Sequence, residues 1–336
     1  TAVEVAVKLA VQYWRNRGQA QRTTVVALHH AYHGDTVGAM SVSEESVFTA
    51  AFQPLTFPVE RAAAPYCFRC PVGLERATCG IACSDDLDVR LTALGERAAA
   101  VIVEPMLGSG GCIPAEPEFL QRIADATRRA GAVFVVDEVM TSRHGRCGMA
   151  DLMGVRADIT TFGKYIGGGF SFGAFGGRAD LLDQFDTSPE GGRASAISHA
   201  GTFNNNLATM TAGGVVLGEI FTADVAVEHT ARGDEFRHDI ETLLRRHTAP
   251  VSITGFGSMM SLHGRRIAPT TPSEVAERDD AVNELLFLGL LERGVYIAAR
   301  GMINLGLAHT DEHLAAFLDR LDDVLAEIDT LVDAAD

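Results

Sequence analysis

The sequence has no surplus of positive charge. Its 28 Lys and Arg stand against 44 Asp and Glu, a formal net charge of −16. Nucleic-acid binding relies on clustered basic side chains that neutralise phosphates, so the balance argues against that class of partner and against an anionic membrane surface. There is no apolar run of transmembrane length and no signal peptide, and the cytoplasm is the expected address. No internal repeat and no low-complexity linker interrupts the chain. An initiating Met and a lead-in loop are also missing. Thr1 leads straight into an amphipathic stretch that reaches about Arg17, and residues upstream of it are expected.

Cysteine is sparse and clustered. Of six cysteines, four (Cys67, Cys70, Cys79 and Cys83) fall in one stretch with the spacing C-x2-C-x8-C-x3-C. Four thiolates around zinc satisfy that spacing; a loop with reduced, partly buried thiols satisfies it too, and both readings stand. Disulfides do not suit a reducing compartment. Cys112 and Cys147 are isolated and read as packing residues.

What is present is a globular chain. With 336 residues and 47% apolar content it can bury two cores, and the expected division is a large domain over 1–222 and a smaller one over 223–336. Residues 23–28 form a β-branched strand. The run 98–103 (Ala-Ala-Ala-Val-Ile-Val) is apolar throughout, as in a strand buried on both faces. A helix over 118–129 follows, with Gly131 after its end, then strands over 132–136, 158–162 and 172–175. Strands alternating with helices imply an α/β fold with a mainly parallel sheet. Past Asn206 come helices over 207–221 and 225–246 and strand-like runs over 251–254 and 257–263. A helix over 273–293, short strands over 295–298 and 304–307 and a last helix over 311–332 complete a smaller α+β unit.

Open α/β sheets bind ligands at the carboxyl ends of their strands. Glu104, Asp137 and Lys164 fall at such ends. Taken singly, a strand-end Asp is a cap or turn residue and a Lys is solvated. Taken together they suit a carbonyl cofactor. A Schiff base removes the isolated charge of a Lys near a sheet core, and an Asp pairs with a protonated pyridine nitrogen. A dinucleotide site at Gly167-Gly168-Gly169 is disfavoured, because a strand-like run follows these glycines where that fingerprint needs a helix.

Four segments in order resemble class III aminotransferases. Val135-Val136-Asp137-Glu138-Val139-Met140-Thr141-Ser142-Arg143 is similar to the cofactor-Asp segment. Thr160-Thr161-Phe162-Gly163-Lys164-Tyr165-Ile166-Gly167-Gly168-Gly169 is similar to the cofactor-Lys segment. Ser198-His199-Ala200-Gly201-Thr202-Phe203-Asn204 resembles a phosphate-contact segment, and Ala31-Tyr32-His33-Gly34 a ring-stacking turn. Met140-Thr141-Ser142-Arg143 and the run 172–178 resemble the branch of glutamate-1-semialdehyde 2,1-aminomutases and β-amino-acid aminotransferases. Residues 1–43 are more similar to diaminopelargonate-type aminotransferases.

The resemblance implies the fold type I of pyridoxal-5'-phosphate (PLP) transferases: a large, mainly parallel-sheet cofactor domain plus a smaller C-terminal α+β domain. It implies PLP as cofactor, an amino donor and an oxo acceptor as substrates, and a homodimer. Lys164 would form the Schiff base and shuttle the proton between substrate and cofactor. Asp137 would bind the pyridine nitrogen, Val139 and Tyr32 would flank the ring, and His33, in the same turn as Tyr32, would also bind the cofactor. Thr202 would reach the partner's phosphate site, and Glu104 would lie near the ring. No metal is assigned to this site. Alternatives on the same scaffold are an aminomutase and an amino-acid racemase. Two departures from the family stand out. The Gly-Ser or Gly-Thr pair that precedes the first helix in the family is absent unless Thr1 is its remnant. The usual carboxylate-binding Arg position looks like Asn304, which leaves Arg300 as a candidate for that role or as a surface residue.

Overall fold

The computed structural model describes residues 1–44, 49–64, 73–75, 77–188, 196–270, 274–275 and 278–333. The described chain divides into two compact units, one of residues 1–107 and 115–225 and one of residues 108–114 and 226–333.

The first unit is built on a six-stranded sheet. Its strands are β1 (Thr24–Leu28), β2 (Glu60–Ala62), β3 (Ala98–Val103), β6 (Val133–Asp137), β7 (Ile159–Gly163) and β8 (Gly173–Gly177), and β4 (Met106–Leu107) follows β3 outside the sheet. The order is β2-β1-β3-β6-β7-β8, parallel except for β8, which runs antiparallel to β7. The chain steps from β1 outward to β2 and then returns to the other side of β1 as β3. The gap between β1 and β3 is therefore a switch point, where an open α/β sheet leaves a crevice.

Helix α1 (Ala2–Asn16) covers one face of the sheet. Its apolar residues recur at helical spacing (Val3, Ala6, Leu9, Ala10 and Tyr13). They pack with every second residue of the strands, Val25 and Ala27, Ala100 and Ile102, Val133 and Val135. Burying each larger aliphatic side chain here contributes roughly 1.5–3 kcal/mol. The far end of α1 is tied down by polar contacts: Tyr13 donates to Asp180 at 2.9 Å, and Arg178 holds both Asp180 and Asp158. Three further helices of this unit are α2 (Val37–Val42), α3 (Asp85–Leu94) and α4 (Pro117–Arg129). Two four-residue helices, α5 (Met149–Leu152) and α6 (Ala179–Leu182), follow. The expected long helix over 207–221 is α7 (Leu207–Val215) continued by a wide π turn, Val216–Ile220.

The second unit begins with β5 (Ile113–Pro114) and most of α8 (Ala223–Leu244). An antiparallel sheet follows, in the order β11-β10-β9, from β9 (Ser252–Phe256), β10 (Met259–His263) and β11 (Met302–Asn304). Helices Asp280–Glu292 and Asp311–Asp333 pack with it around Phe236, Ile240, Leu262, Leu286, Leu321 and Leu325. Residues 108–114 join this unit because Thr254 donates to the Gly111 carbonyl at 2.5 Å, and Gly111 (φ 109°) has no room for a side chain beside His263 and Val275.

Three expected elements differ. The strand expected over 304–307 is β11, Met302–Asn304, and residues 305–307 lie beyond its end. Residues 295–298 are not a strand: the Val295 N–H turns back to the Leu290 carbonyl at the end of the preceding helix. The single helix expected over 273–293 starts afresh at Asp280, because the Asp279 carboxylate caps the N–H groups of Ala281 and Val282. No single helix among the described residues is long and apolar enough to cross a membrane.

Candidate active site

A cavity of about 200 Å³ opens in the first unit at the carboxyl ends of β1, β3, β6 and β7. Lys164, Asp137, Glu104, Tyr32, His33 and Val139 all line it. These residues are separated by up to 132 positions in the chain, and the parallel sheet brings them together by ending its strands on one edge.

Asp137 is buried and held in one orientation. Its Oδ1 accepts from the Val139 N–H (3.0 Å) and from the Thr161 hydroxyl (2.9 Å). Its Oδ2 lies 2.8 Å from His33 Nδ1, whose ring is fully buried. A carboxylate only accepts, so Nδ1–H is the donor, and three of about four acceptor positions are taken. One remains for a donor in the cavity. His33 is fixed in turn: its N–H donates to Ser43 Oγ at 2.7 Å, and Ser43 donates to the Ala39 carbonyl. Arg61 donates to the carbonyls of Ser41, Val42 and Ser43 and clamps the end of α2 that carries Ser43. His33 thus reaches the site through Asp137. Its Nε2 is buried with no hydrogen-bond partner among the described residues.

Lys164 follows the last residue of β7 and has a left-handed backbone, φ 54°. For a residue with a side chain this costs about 1–3 kcal/mol, a strain that packed surroundings must impose. The side chain keeps solvent access at the cavity while protein crowds its other sides. That partial desolvation lowers its pKa, opposed by the negative charges of Asp137 and Glu104. A shared-proton role needs an amine that is easily deprotonated, and this environment supplies one. A signal in the sequence singles it out further. The chain has two lysines, Lys8 and Lys164. Lys8 is exposed on α1 and does not line the cavity.

The opposite wall is the start of α1, where Thr1, Ala2 and Val3 line the cavity. The first N–H groups of a helix have no acceptor within it, and the helix dipole adds positive potential there. The first internal bond of α1 runs from the Val5 N–H to the Thr1 carbonyl, which leaves the earlier N–H groups for a ligand. Gly173 on β8 makes the approach possible. A Cβ there would come 3.2 Å from Thr1 Oγ1 and 3.4 Å from the Ala2 nitrogen. The Glu4 carboxylate, a possible repellent to an anion, is turned away to accept the Gly38 N–H at 2.6 Å. An anion-binding helix end, an amine and a buried carboxylate with one open acceptor position form a donor set that fits a phosphorylated pyridine aldehyde.

The other expected residues fall as follows. Glu104 accepts the Tyr32 N–H at 2.9 Å across the β1–β3 switch point. Tyr32 is half-buried, and Val139 touches the position where a Gly163 side chain would stand. Thr202 is exposed on a turn and does not line the cavity. Arg300 and Asn304 belong to the second unit. Cys67 and Cys70 lie outside the described residues. Cys79 Sγ accepts the Ile81 N–H at 3.3 Å, and no group of three His, Cys, Asp or Glu among the described residues is arranged for a metal. Thr161, Ser43 and Phe172 contribute to the site or its support without having been expected. Thr161 could have been found from alternation along β7, which turns it to the same side as Ile159 and Gly163.

Comparisons with known proteins agree with this geometry. The family model for aminotransferase class-III matches residues 1–325. The β-phenylalanine transaminase of Variovorax paradoxus is 36% identical over 299 residues, covering 88% of this chain and 62% of the relative. A glutamate-1-semialdehyde 2,1-aminomutase of Pyrobaculum arsenaticum is 35% identical over 258 residues, 73% of this chain and 58% of the relative. The crystal structure of the Variovorax paradoxus β-phenylalanine aminotransferase superposes with a TM-score of 0.81 at 32% identity, over 97% of this chain and 69% of that one. The chain thus spans about three-fifths of the length of these two curated relatives.

Proposed function

The chain belongs to the class-III aminotransferase family, and from that premise we propose that it is a PLP-dependent transaminase. It would move an amino group from an amino acid or amine to an oxo acid or aldehyde in two half-reactions. The observation that carries the reading is one cavity lined by Lys164, Asp137 and the start of α1. When bound, PLP supplies an aldehyde that condenses with amines and a ring that withdraws electrons.

The residues divide the remaining work. The N–H groups at the start of α1 bind the phosphate. Asp137 holds the proton on the pyridine nitrogen, and the His33 and Thr161 hydrogen bonds keep its carboxylate aimed. Tyr32 and Val139 bound the two faces of the ring. Lys164 is the residue that would hold the cofactor, through its amine and the aldehyde carbon. With substrate bound, its amine would move a proton on and off the substrate Cα, a task suited to its lowered pKa.

The reading includes a homodimer in which Thr202 meets the phosphate of the partner's site. Its support is an apolar surface beside Thr202: Phe203 and Leu207 are each 82% exposed, and Met210, Leu217 and Ile220 continue along α7 and its π turn. A surface of this kind calls for a cover, and a second copy provides it. Leu207→Glu is expected to shift sedimentation toward monomer and to weaken cofactor retention; a fully dimeric, fully loaded variant would contradict this part.

The main test is chemical. Borohydride reduction of the loaded protein should fix the cofactor on the Lys164 peptide, read by mass spectrometry, and Lys164→Ala should lose the visible absorbance and at least about a thousandfold in activity. Label on Lys8, or none, would refute the assignment. The similarity to an aminomutase favours one second reading, an intramolecular amine exchange with the same residues. Turnover of a single substrate with no oxo acceptor present would select it.

A further inference from the structure

Lys164 sits in a strained conformation, and the elements packed on its turn explain what holds it there. The turn Lys164–Gly167 ends at Gly168, and α7 lies against it. Gly213 is the contact. A Cβ at Gly213 would stand 2.8 Å from the Ile166 carbonyl oxygen, and one at Gly168 would stand 3.0 Å from Ala212 Cβ. Helix and turn meet backbone to backbone, which only glycine permits.

The other end of the contact uses the π turn. Phe221 closes it, donating its N–H to the Val216 carbonyl at 2.6 Å. The wide turn holds one residue more than an α turn, and so changes the direction in which Phe221 leaves the helix. Its ring meets that of Tyr165 at 4.9 Å and 60°. Tyr165 in turn donates to the Ser142 carbonyl at 3.2 Å, and the Ser142 N–H reaches the carbonyl of Glu138, the neighbour of Asp137. The aromatic pair is therefore tied to the segment that carries Asp137 as well as to Lys164.

We infer that α7 and its π turn are a cradle for Lys164, with Gly213 and Phe221 as positioning residues that set the Lys164 amine relative to Asp137. This rests on Lys164 being the residue that carries the cofactor. It gives the π turn a purpose: the widened turn sets where Phe221 leaves the helix, so that one element carries both contacts.

The test uses the full-length protein with PLP as the probe. Cofactor dissociation constant, the pH midpoint of the visible absorbance and the melting temperature of the unloaded protein are measured for Gly213→Ala, Phe221→Leu and Gly289→Ala. Gly289 is a matched control, a helical glycine of the second unit whose Cβ would stand 2.9 Å from Val324. Alanine is the better helix former, so Gly213→Ala leaves α7 itself intact and acts on its approach to the turn. Gly213→Ala and Phe221→Leu are expected to raise the dissociation constant about tenfold and to move the pH midpoint by about half a unit. Gly289→Ala should alter the melting temperature alone. If both cradle variants keep the wild-type constant and midpoint, or if the control moves them equally, the inference is overturned. Should Gly213→Ala not fold, Phe221→Leu decides by the same criteria. A wild-type protein that does not carry the cofactor on Lys164 would remove the premise, and that result appears in the unsubstituted protein alone.

Discussion

Three charges govern the residue scale. Burial pushes the Lys164 ammonium toward its neutral form, and the Glu104 and Asp137 carboxylates pull it back. Removing Glu104's charge leaves burial less opposed. In Glu104→Gln the Lys164 pKa should therefore fall further, by about half a unit. The limb of kcat that rises with pH should move to lower pH by that amount, because the Lys164 amine would be free only in the substrate complex. The amide oxygen can still accept the Tyr32 N–H that Glu104 Oε1 now accepts, so the turn is kept. A limb that stays in place or moves upward would show that Glu104 does not act on the amine. Lys164 and Asp137 were legible in the sequence because each follows or ends a strand-like run, which places it at the carboxyl edge of a sheet. The His33–Asp137 hydrogen bond was not, because its partners are 104 residues apart and only the order of strands brings them together.

At the scale of elements, the start of α1 and strand β8 depend on each other. Gly173→Val would set a branched side chain where even a Cβ comes 3.2 Å from Thr1 Oγ1. The expected result is a cofactor dissociation constant raised about tenfold or more, with the melting temperature of the unloaded protein little changed, because Gly173 is exposed. Equal loss in both would make Gly173 a folding residue instead. Helix α1 and strand β3 were readable from their apolar periods. Strand β2, three residues long, and helix α2, six residues long, were not, since elements so short carry no period. The π turn was hidden for another reason. Its sequence, Val-Leu-Gly-Glu-Ile, reads as ordinary helix, and the pairing of Phe221 with Tyr165 is a contact between distant segments.

For the whole molecule, one contribution to stability that acid removes comes from His263 in the second unit. Burial, with Arg278 and Arg265 nearby, pushes its pKa down to about 4. It is neutral when folded, with Nε2–H donating to Thr254 Oγ1, which itself donates to the Gly111 carbonyl. The unfolded chain binds a proton at about 6.5. The contribution is thus present in full above that value and is lost as pH falls through about 4, on the order of 3 kcal/mol in all. His263→Gln keeps a donor for Thr254 and removes the titration. Its unfolding free energy should drop less than the wild type's between pH 7.5 and pH 4, measured by chemical denaturation; parallel losses would refute the role. The clamp of His247 by Asp322 and Asp329 has the opposite sign. Although burial works against the charge, the two carboxylates raise its pKa, so its contribution is present below the ordinary histidine value and fades as pH rises through the folded one.

The sequence by itself determined the class of fold and its reactive groups. Strand-like runs ending at Glu104, Asp137 and Lys164 specify strands whose carboxyl ends carry chemistry, because period and strand polarity are local properties. Four ordered segments placed that chemistry within a family. Only the tertiary structure decided how the groups are held: Asp137 aimed by His33 and Thr161, Gly173 yielding to the start of α1, and the Lys164 turn seated on Gly213 and Phe221. Each depends on residues far apart in the chain meeting at one distance and angle. No local pattern records such a meeting, because it is the packed sheet and helices that define it.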